Sequence, residues 1–438
     1  MPSFDQGSRT LSIVKALQSG LALRGSGVFF NLLFVPIAIG ALELDLYGYL
    51  ATVLGLASWL SIASLGMRQT TAMRVAGLPA KDEACESVIL VRAFSIVVIC
   101  IVCAQFLYVC VARTLLFSTS SSLANTPALS IVIALVVSSI CYIITSLSSP
   151  FEGLRIGKLE SDYCNRVRFI AQLIAIFVLL GAPAFPPAIP VFAFIALMAP
   201  VLASCWFLLR GAPLVNGIAR SALSYRNTWQ MAKEGGGYAA SSIAVLFLGG
   251  ASLPLFVSAF GERDLATAAV ISRVIQLYFS LLAVFLIPFS AALKSALSIK
   301  DLLWIKSALS VGAASFFVTY CVATIILGLW GEWLITAWTS TRLPNLGYWI
   351  HSCGVLMGAI TWVYFWVYVA FALFGASLVA RLAVIEIGFT SFLYFLLSNA
   401  VPSAASLLIS SFVIVLISGV VLPLKALQEL RHLQVMRS

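Results

Sequence analysis

The residues of this sequence that could do chemistry are charged groups inside apolar runs. The first long run, "SGLALRGSGVFFNLLFVPIAIGALELD", holds Arg24. Arg24, Gly27 and Asn31 are spaced i, i+3, i+7, which puts them on one face of a helix. The stretch "ISRVIQLYFS" repeats that spacing with Arg273, Gln276 and Ser280. A charge at the centre of a bilayer costs about 2.5–3.5 kcal/mol on the insertion scale, so such a stripe avoids lipid and faces the bundle interior or water. A guanidinium there is an always-charged, bidentate partner for carboxylate or phosphate. The two arginines differ in depth. Arg24 lies about two turns beyond Lys15, and snorkelling to headgroups accounts for it as well as a cavity role does. Arg273 follows Asp264 by nine residues, about 13 Å along a helix, which is deep for snorkelling. An interior role is expected for it, with a structural pairing to a carboxylate such as Glu386 as the rival. Glu386 lies five residues beyond Arg381 in "RLAVIEIGF". It is either a near-surface partner of basic groups or a proton or cation site. Asp45 and Asp264 are further candidates for an ion or charge-pair role.

These groups must be positioned by membrane-spanning helices. The 438 residues are 61% hydrophobic and only 10% charged, a composition that excludes a soluble globular domain. Apolar runs of bilayer length predict about twelve spans, near 22–42, 47–66, 93–112, 128–149, 169–186, 188–209, 238–260, 265–288, 307–329, 347–370, 380–398 and 404–423. The polar lead before Gly27 and the many similar runs after it predict a retained first helix rather than a cleaved signal. The net charge of +10 follows the bias of basic residues to cytoplasmic loops and does not call for nucleic acid. Placing the N-terminus inside puts 21 of the 26 Lys and Arg on the cytoplasmic side and only Arg113, Arg263 and Arg342 opposite. Both termini are therefore expected inside, with Arg68 and Arg74 at the cytoplasmic end of the substrate path.

A weak internal repeat divides the chain. "ELDLYGYLATV" resembles "GERDLATAAVI", pairing Asp45 with Asp264, and "LRIGKL" resembles "ALFGASL", pairing Gly157 with Gly375; the offsets are 219 and 218. The fold expected is all-α, two six-helix lobes, 1–215 and 216–438, around a central cavity, as in parallel-repeat transporters. The connection "WGEWLITAWTSTRLPNLGYW" is the longest expected outside loop, and its tryptophans read as an interfacial belt or as sugar-stacking surfaces. Trp362 and Trp366 share a helix face, either packing or stacking substrate. Cys100 and Cys103 form a C-x-x-C without a second pair or flanking histidines, so packed free thiols are expected. No G-x-x-x-x-G-K-[ST] is present. "GGGYAAS" lacks the strand context for cradling phosphate, and close helix packing is the better reading. With only His351 and His432, neither a metal centre nor a cofactor is expected, nor an enzyme activity.

The segment "GALELDLYGYLATVLGLASWLSIASLGMRQTTAMRVAG" resembles the acidic-then-Tyr-Gly turn, second span and "LG…T…R.VA" ending of the O-antigen and polysaccharide flippases. These form a branch of the multidrug/oligosaccharidyl-lipid/polysaccharide exporter superfamily. "WQMAKEGGGYAASSI" with "FVSAFGERDLATAAVISRVIQLYFSLLAVFLIPF" resembles the start of their second half, and "FGASLVARLAVIEIGF" the short loop before span eleven. One departure is clear: Ser252 and Leu253 stand where relatives often carry an Asp-Arg pair. The resemblance implies translocation of undecaprenyl-diphosphate-linked oligosaccharide from the cytoplasmic to the periplasmic leaflet of a bacterial inner membrane. The partners it implies are that substrate, membrane lipids and other polysaccharide-assembly membrane proteins. It also implies that arginines on spans one and eight, here Arg24 and Arg273, line the substrate cavity. Two other readings compete. A cation-coupled multidrug exporter of the same superfamily would need acidic, cation-attracting cavities, whereas the apolar runs here hold arginines and few acids. A membrane glycan polymerase or ligase would resemble its kind in a long periplasmic loop with paired basic residues, and the longest loop expected here is about 20 residues.

Overall fold

The computed structural model describes residues 6–64, 66–76, 83–118, 128–158, 160–211, 227–236, 239, 265–298, 302–374, 376–397 and 405–435. Those residues are helical with short connections and contain no strand. Seven of the helices are long and apolar enough to cross a membrane. Their lipid-length apolar faces are left outward: Ile99, Val102 and Phe106 on one helix, and Phe317, Ile325 and Leu329 on another, are exposed. The chain is a multi-pass membrane protein.

Helix α1, Gln6–Ser58, has 53 residues. A straight helix of that length would be about 80 Å long, against a hydrocarbon core of about 30 Å. It is broken at Glu43 (φ 66°, ψ 166°), within the "ELDLYGY" turn the sequence predicts between spans one and two. A 3-10 helix, Trp59–Ser64, and Gly66 (φ 61°) turn the chain into the short α2, Met67–Ala76. The remaining helices of the first half are α3 (Glu83–Ser118), α4 (Ala128–Gly157), α5 (Ser161–Leu180) and α6 (Ile189–Gly211). In the second half they are α7 (Leu265–Ser298), α8 (Leu302–Thr339), α9 (Leu346–Phe374), α10 (Ala376–Leu397) and α11 (Ala405–Val435). The seventh expected span, near 238–260, lies outside the described residues.

The chain divides into two compact units, Met1–Ser242 and Ile243–Ser438. The boundary expected at 215/216 falls outside the described residues. In the first unit α4 packs on α6 and α2, and α1 on α5. Met67, Leu90, Ala93, Phe151, Leu154 and Phe207 form its core. In the second, α9 runs through the interior with 71% of its apolar window buried, while none of the window of α8 is. Helix starts recur along the sequence: α3 and α8, α4 and α9, α5 and α10, and α6 and α11 begin 219, 218, 215 and 216 residues apart.

Three sequence expectations are corrected. The span expected from 169 begins at Ser161, because Asp162, Arg166 and Arg168 are accommodated within the helix rather than ahead of it. The loop expected over 330–349 is mostly helix: α8 continues to Thr339, and the connection is 340–345. A helix that emerges from lipid keeps its own backbone hydrogen bonds and need not stop where hydropathy does. Trp349 is not in an interfacial belt but wholly buried in α9, whereas Trp330 and Trp333 are exposed. The nine cysteines are free thiols.

Candidate functional site

In the first unit, Arg24 and Asn31 sit half-buried on α1, in the stripe their spacing predicts. Asn31 donates from Nδ2 to the Gly27 carbonyl at 2.9 Å, so its amide caps the helix's own backbone. Beyond them Phe30 stacks on Phe34, which meets Phe192 of α6 edge-on. Between α1 and the start of α5 lies a cavity of about 270 Å3, lined by Gln18, Ser19, Ala22, Asp162, Arg166 and Phe169. Asn165 donates to Ser19 at 3.2 Å on the same pair of helices. Asp45 is exposed, two residues beyond the break at Glu43.

In the second unit, Arg273 and Gln276 are brought together as their i, i+3 spacing requires. Arg273 Nη1 donates to Gln276 Oε1 at 3.1 Å, and Gln276 Nε2 donates to Ser272 Oγ at 3.2 Å. This three-residue chain crosses a helix whose neighbouring positions Val270, Ile271 and Ile275 are fully buried. The register of α7 is fixed by Tyr278, whose hydroxyl lies 2.6 Å from that of Thr361 on α9, and by Phe279, which packs edge-on against Tyr364. Ser280 is on α7, but its side chain lies outside the described residues, as does all of Asp264.

Glu386 is 2% exposed on α10, while Arg381 is on the surface. The expectation of a near-surface partner for basic groups is therefore corrected. Its Oε1 instead accepts the backbone N–H of Ser418 on α11 at 3.1 Å. That contact lies five residues ahead of Pro423 in α11. Pro423 has no N–H to give the carbonyl four residues back, and that carbonyl, of Gly419, accepts from Trp362 Nε1 of α9 at 2.9 Å. Two side chains, one acceptor and one donor, thus meet the α11 backbone at the adjacent residues Ser418 and Gly419. Trp362 has a partner that its sequence position did not announce.

The basic residues after span two separate. Arg74 forms a two-point pair with Glu234, both contacts at 3.0 Å. Arg68 instead shares Glu152 of α4 with Arg168 of α5, at 3.6 and 2.6 Å. Glu152 is buried, and the sequence reading passed over it. The signal was a single acid inside an apolar run, beside a proline and a glycine, in "SSPFEGL". Gly153 lets α2 approach, since a Cβ there would clash with the Arg68 carbonyl. Among the described residues no group of three His, Cys, Asp or Glu could hold a metal ion.

No protein-family profile and no curated protein sequence matches the chain. Solved structures do. One described as the inward-facing conformation of a multidrug resistance MATE family transporter of the MOP superfamily is similar with TM-score 0.62 at 13% identity, over 97% of this chain and 99% of that one. The chain has the MATE transporter fold. An outward-facing conformation of such a transporter gives TM-score 0.57 at 14% identity, over 97% of this chain and 96% of that one. A MOP superfamily transporter from Pyrococcus furiosus Vc1, described as having a binding pocket of reverse polarity that suggests a different function, gives 0.57 at 13% over the same shares. These neighbours are transporters and not enzymes.

Proposed function

We propose that this protein is a membrane transporter that flips an undecaprenyl-diphosphate-linked oligosaccharide from the cytoplasmic to the periplasmic leaflet of a bacterial inner membrane, by alternating access, for surface polysaccharide assembly. The observation that carries this reading is the held guanidinium of Arg273, bonded to Gln276 in a helix otherwise buried in apolar packing. An anionic diphosphate crossing hydrocarbon needs a fixed cationic partner, because unpaired charge there is prohibitively costly. Arg24 supplies a second guanidinium on a stripe of the same spacing. A transporter of cations would gain nothing from either. The recurrence of helix starts at offsets of 215–219 residues supports two repeated lobes, and the skew of Lys and Arg between loops supports both termini inside.

A second reading, a cation-coupled multidrug exporter, is favoured by two observations. The similar solved structures include multidrug transporters, and Glu386 is a buried carboxylate bonded to a backbone donor of α11. Arg273→Ala separates the readings. In cells whose surface polysaccharide depends on this protein, the flippase reading expects R273A to abolish surface glycan at normal protein level, with partial rescue by Arg273→Lys. Wild-type glycan display by R273A, with drug export lost in Glu386→Gln, would instead establish the exporter.

A further inference from the structure

Among the described residues of the first unit, the acids that form ion pairs each take one basic partner, with one exception. Glu234 takes Arg74, Glu160 takes Arg155, Glu86 takes Lys158 and Asp162 takes Arg166. Glu152 takes two, Arg68 and Arg168, both on Oε2. Two guanidiniums against one carboxylate leave one positive charge unbalanced. A surplus charge is costly to bury: the Glu152 side chain is 6% exposed, while those of Arg68 and Arg168 are 35% and 36% exposed. The carboxylate is buried, and both arginine side chains reach part-way to solvent. Each guanidinium carries five N–H donors, more than a shared carboxylate can accept.

Three further features suit an anion. Arg68 is the second residue of α2, where the helix N-terminus adds positive partial charge. The cluster sits near one end of α4: Glu152 is five residues before its last residue, about 8 Å along the axis. Finally, its three residues come from α2, α4 and α5, helices locked together where Gly153 admits α2. The charges are thus held before any ligand arrives, which lowers the cost of binding.

We propose that Arg68 and Arg168, oriented by Glu152, form a binding site for the phosphate group of a membrane lipid that carries net negative charge. The shared chemistry is a phosphate ester or diphosphate on an acyl or polyprenyl tail. The proposal stands apart from the transport reading, because the site takes the group whether its lipid is cargo or a resident of the leaflet. Arg74, satisfied by Glu234, is not part of it.

The test is native mass spectrometry of the purified full chain in detergent, titrated separately with phosphatidylglycerol, undecaprenyl diphosphate and phosphatidylcholine, with inorganic diphosphate as competitor. The two anionic lipids are expected to be retained over phosphatidylcholine and displaced by inorganic diphosphate. Arg68→Gln and Arg168→Gln should each weaken retention about tenfold, the scale of one charge-assisted hydrogen bond. Lys158→Gln, at the one-to-one pair with Glu86, should leave it unchanged. Glu152→Gln removes the competing negative charge and should tighten retention severalfold, whereas a purely structural cluster would lose binding with this variant. If E152Q does not fold, the comparison of R68Q with K158Q at matched melting temperature decides. Tighter retention of undecaprenyl diphosphate than of phosphatidylglycerol would mark a polyprenyl carrier as the source, and equal retention a leaflet phospholipid; both support the site. Equal retention of phosphatidylcholine, no displacement by inorganic diphosphate, or wild-type retention by R68Q would overturn it.

Discussion

A buried carboxylate in a membrane protein has to find donors within the chain, and the two among the described residues find different kinds. Glu152 is met by Arg68 and Arg168, Glu386 by a backbone N–H. Removing the first strands two guanidiniums that were held by charge-assisted bonds. Glu152→Ala should therefore cost about 2 kcal/mol of stability, below the cost of breaking a fully buried pair because both arginines can turn toward water. A melting-temperature comparison in detergent checks this, and an unchanged melting point would mean that the cluster does not hold α2, α4 and α5 together. The sequence made Arg273 and Gln276 legible, since their spacing alone sets the observed contact. It did not reveal Glu152 or the Trp362–Gly419 bond. Their partners lie on other helices, 84, 16 and 57 residues away along the chain, and helix periodicity carries no information about neighbours at that range.

Two elements show how a span is shaped by local backbone chemistry. In α11 the carbonyl freed by Pro423 is taken by Trp362, so the two positions should be coupled. Trp362→Phe is expected to cost about 1 kcal/mol in the wild-type chain, the net worth of one hydrogen bond. In a Pro423→Ala background, where the alanine N–H can reach Gly419, the same change should cost clearly less. Additive melting shifts in this double-mutant cycle would show the bond to be incidental. In α1 the break falls on Glu43, a non-glycine residue at φ 66° and ψ 166°. That region is essentially reserved for glycine and costs other residues of order 1–3 kcal/mol. Glu43→Gly should raise the melting temperature, by about 1 kcal/mol of stability once the larger unfolded-state entropy of glycine is set against the relief. A lower melting point would indicate that the carboxylate itself anchors the turn. Most spans were legible at this scale because bilayer length filters apolar runs so strongly. The ends were not: α5 begins eight residues earlier than expected and α8 runs on to Thr339, since hydropathy marks where lipid stops and not where a helix does.

At the scale of the whole molecule, the all-helical expectation agrees with the described residues, and the fold is shared with MATE transporters at 13–14% identity. Identity that low leaves the cargo to be argued from charge. Orientation is a separate matter, resting on the distribution of Lys and Arg. A reporter that fluoresces only in the cytoplasm should light up when fused after Ser438, and a dark fusion of normal abundance would reverse the topology. The central claim is that fixed guanidiniums serve an anionic lipid-linked cargo. Its most direct measurement is transfer of a fluorescent undecaprenyl-diphosphate oligosaccharide between leaflets of proteoliposomes holding the purified chain. Wild-type protein should move the lipid well above protein-free vesicles, and R273A should be slower by about a hundredfold, roughly 2.7 kcal/mol. Wild-type vesicles that leave the lipid in place while exporting a cationic drug would contradict the claim.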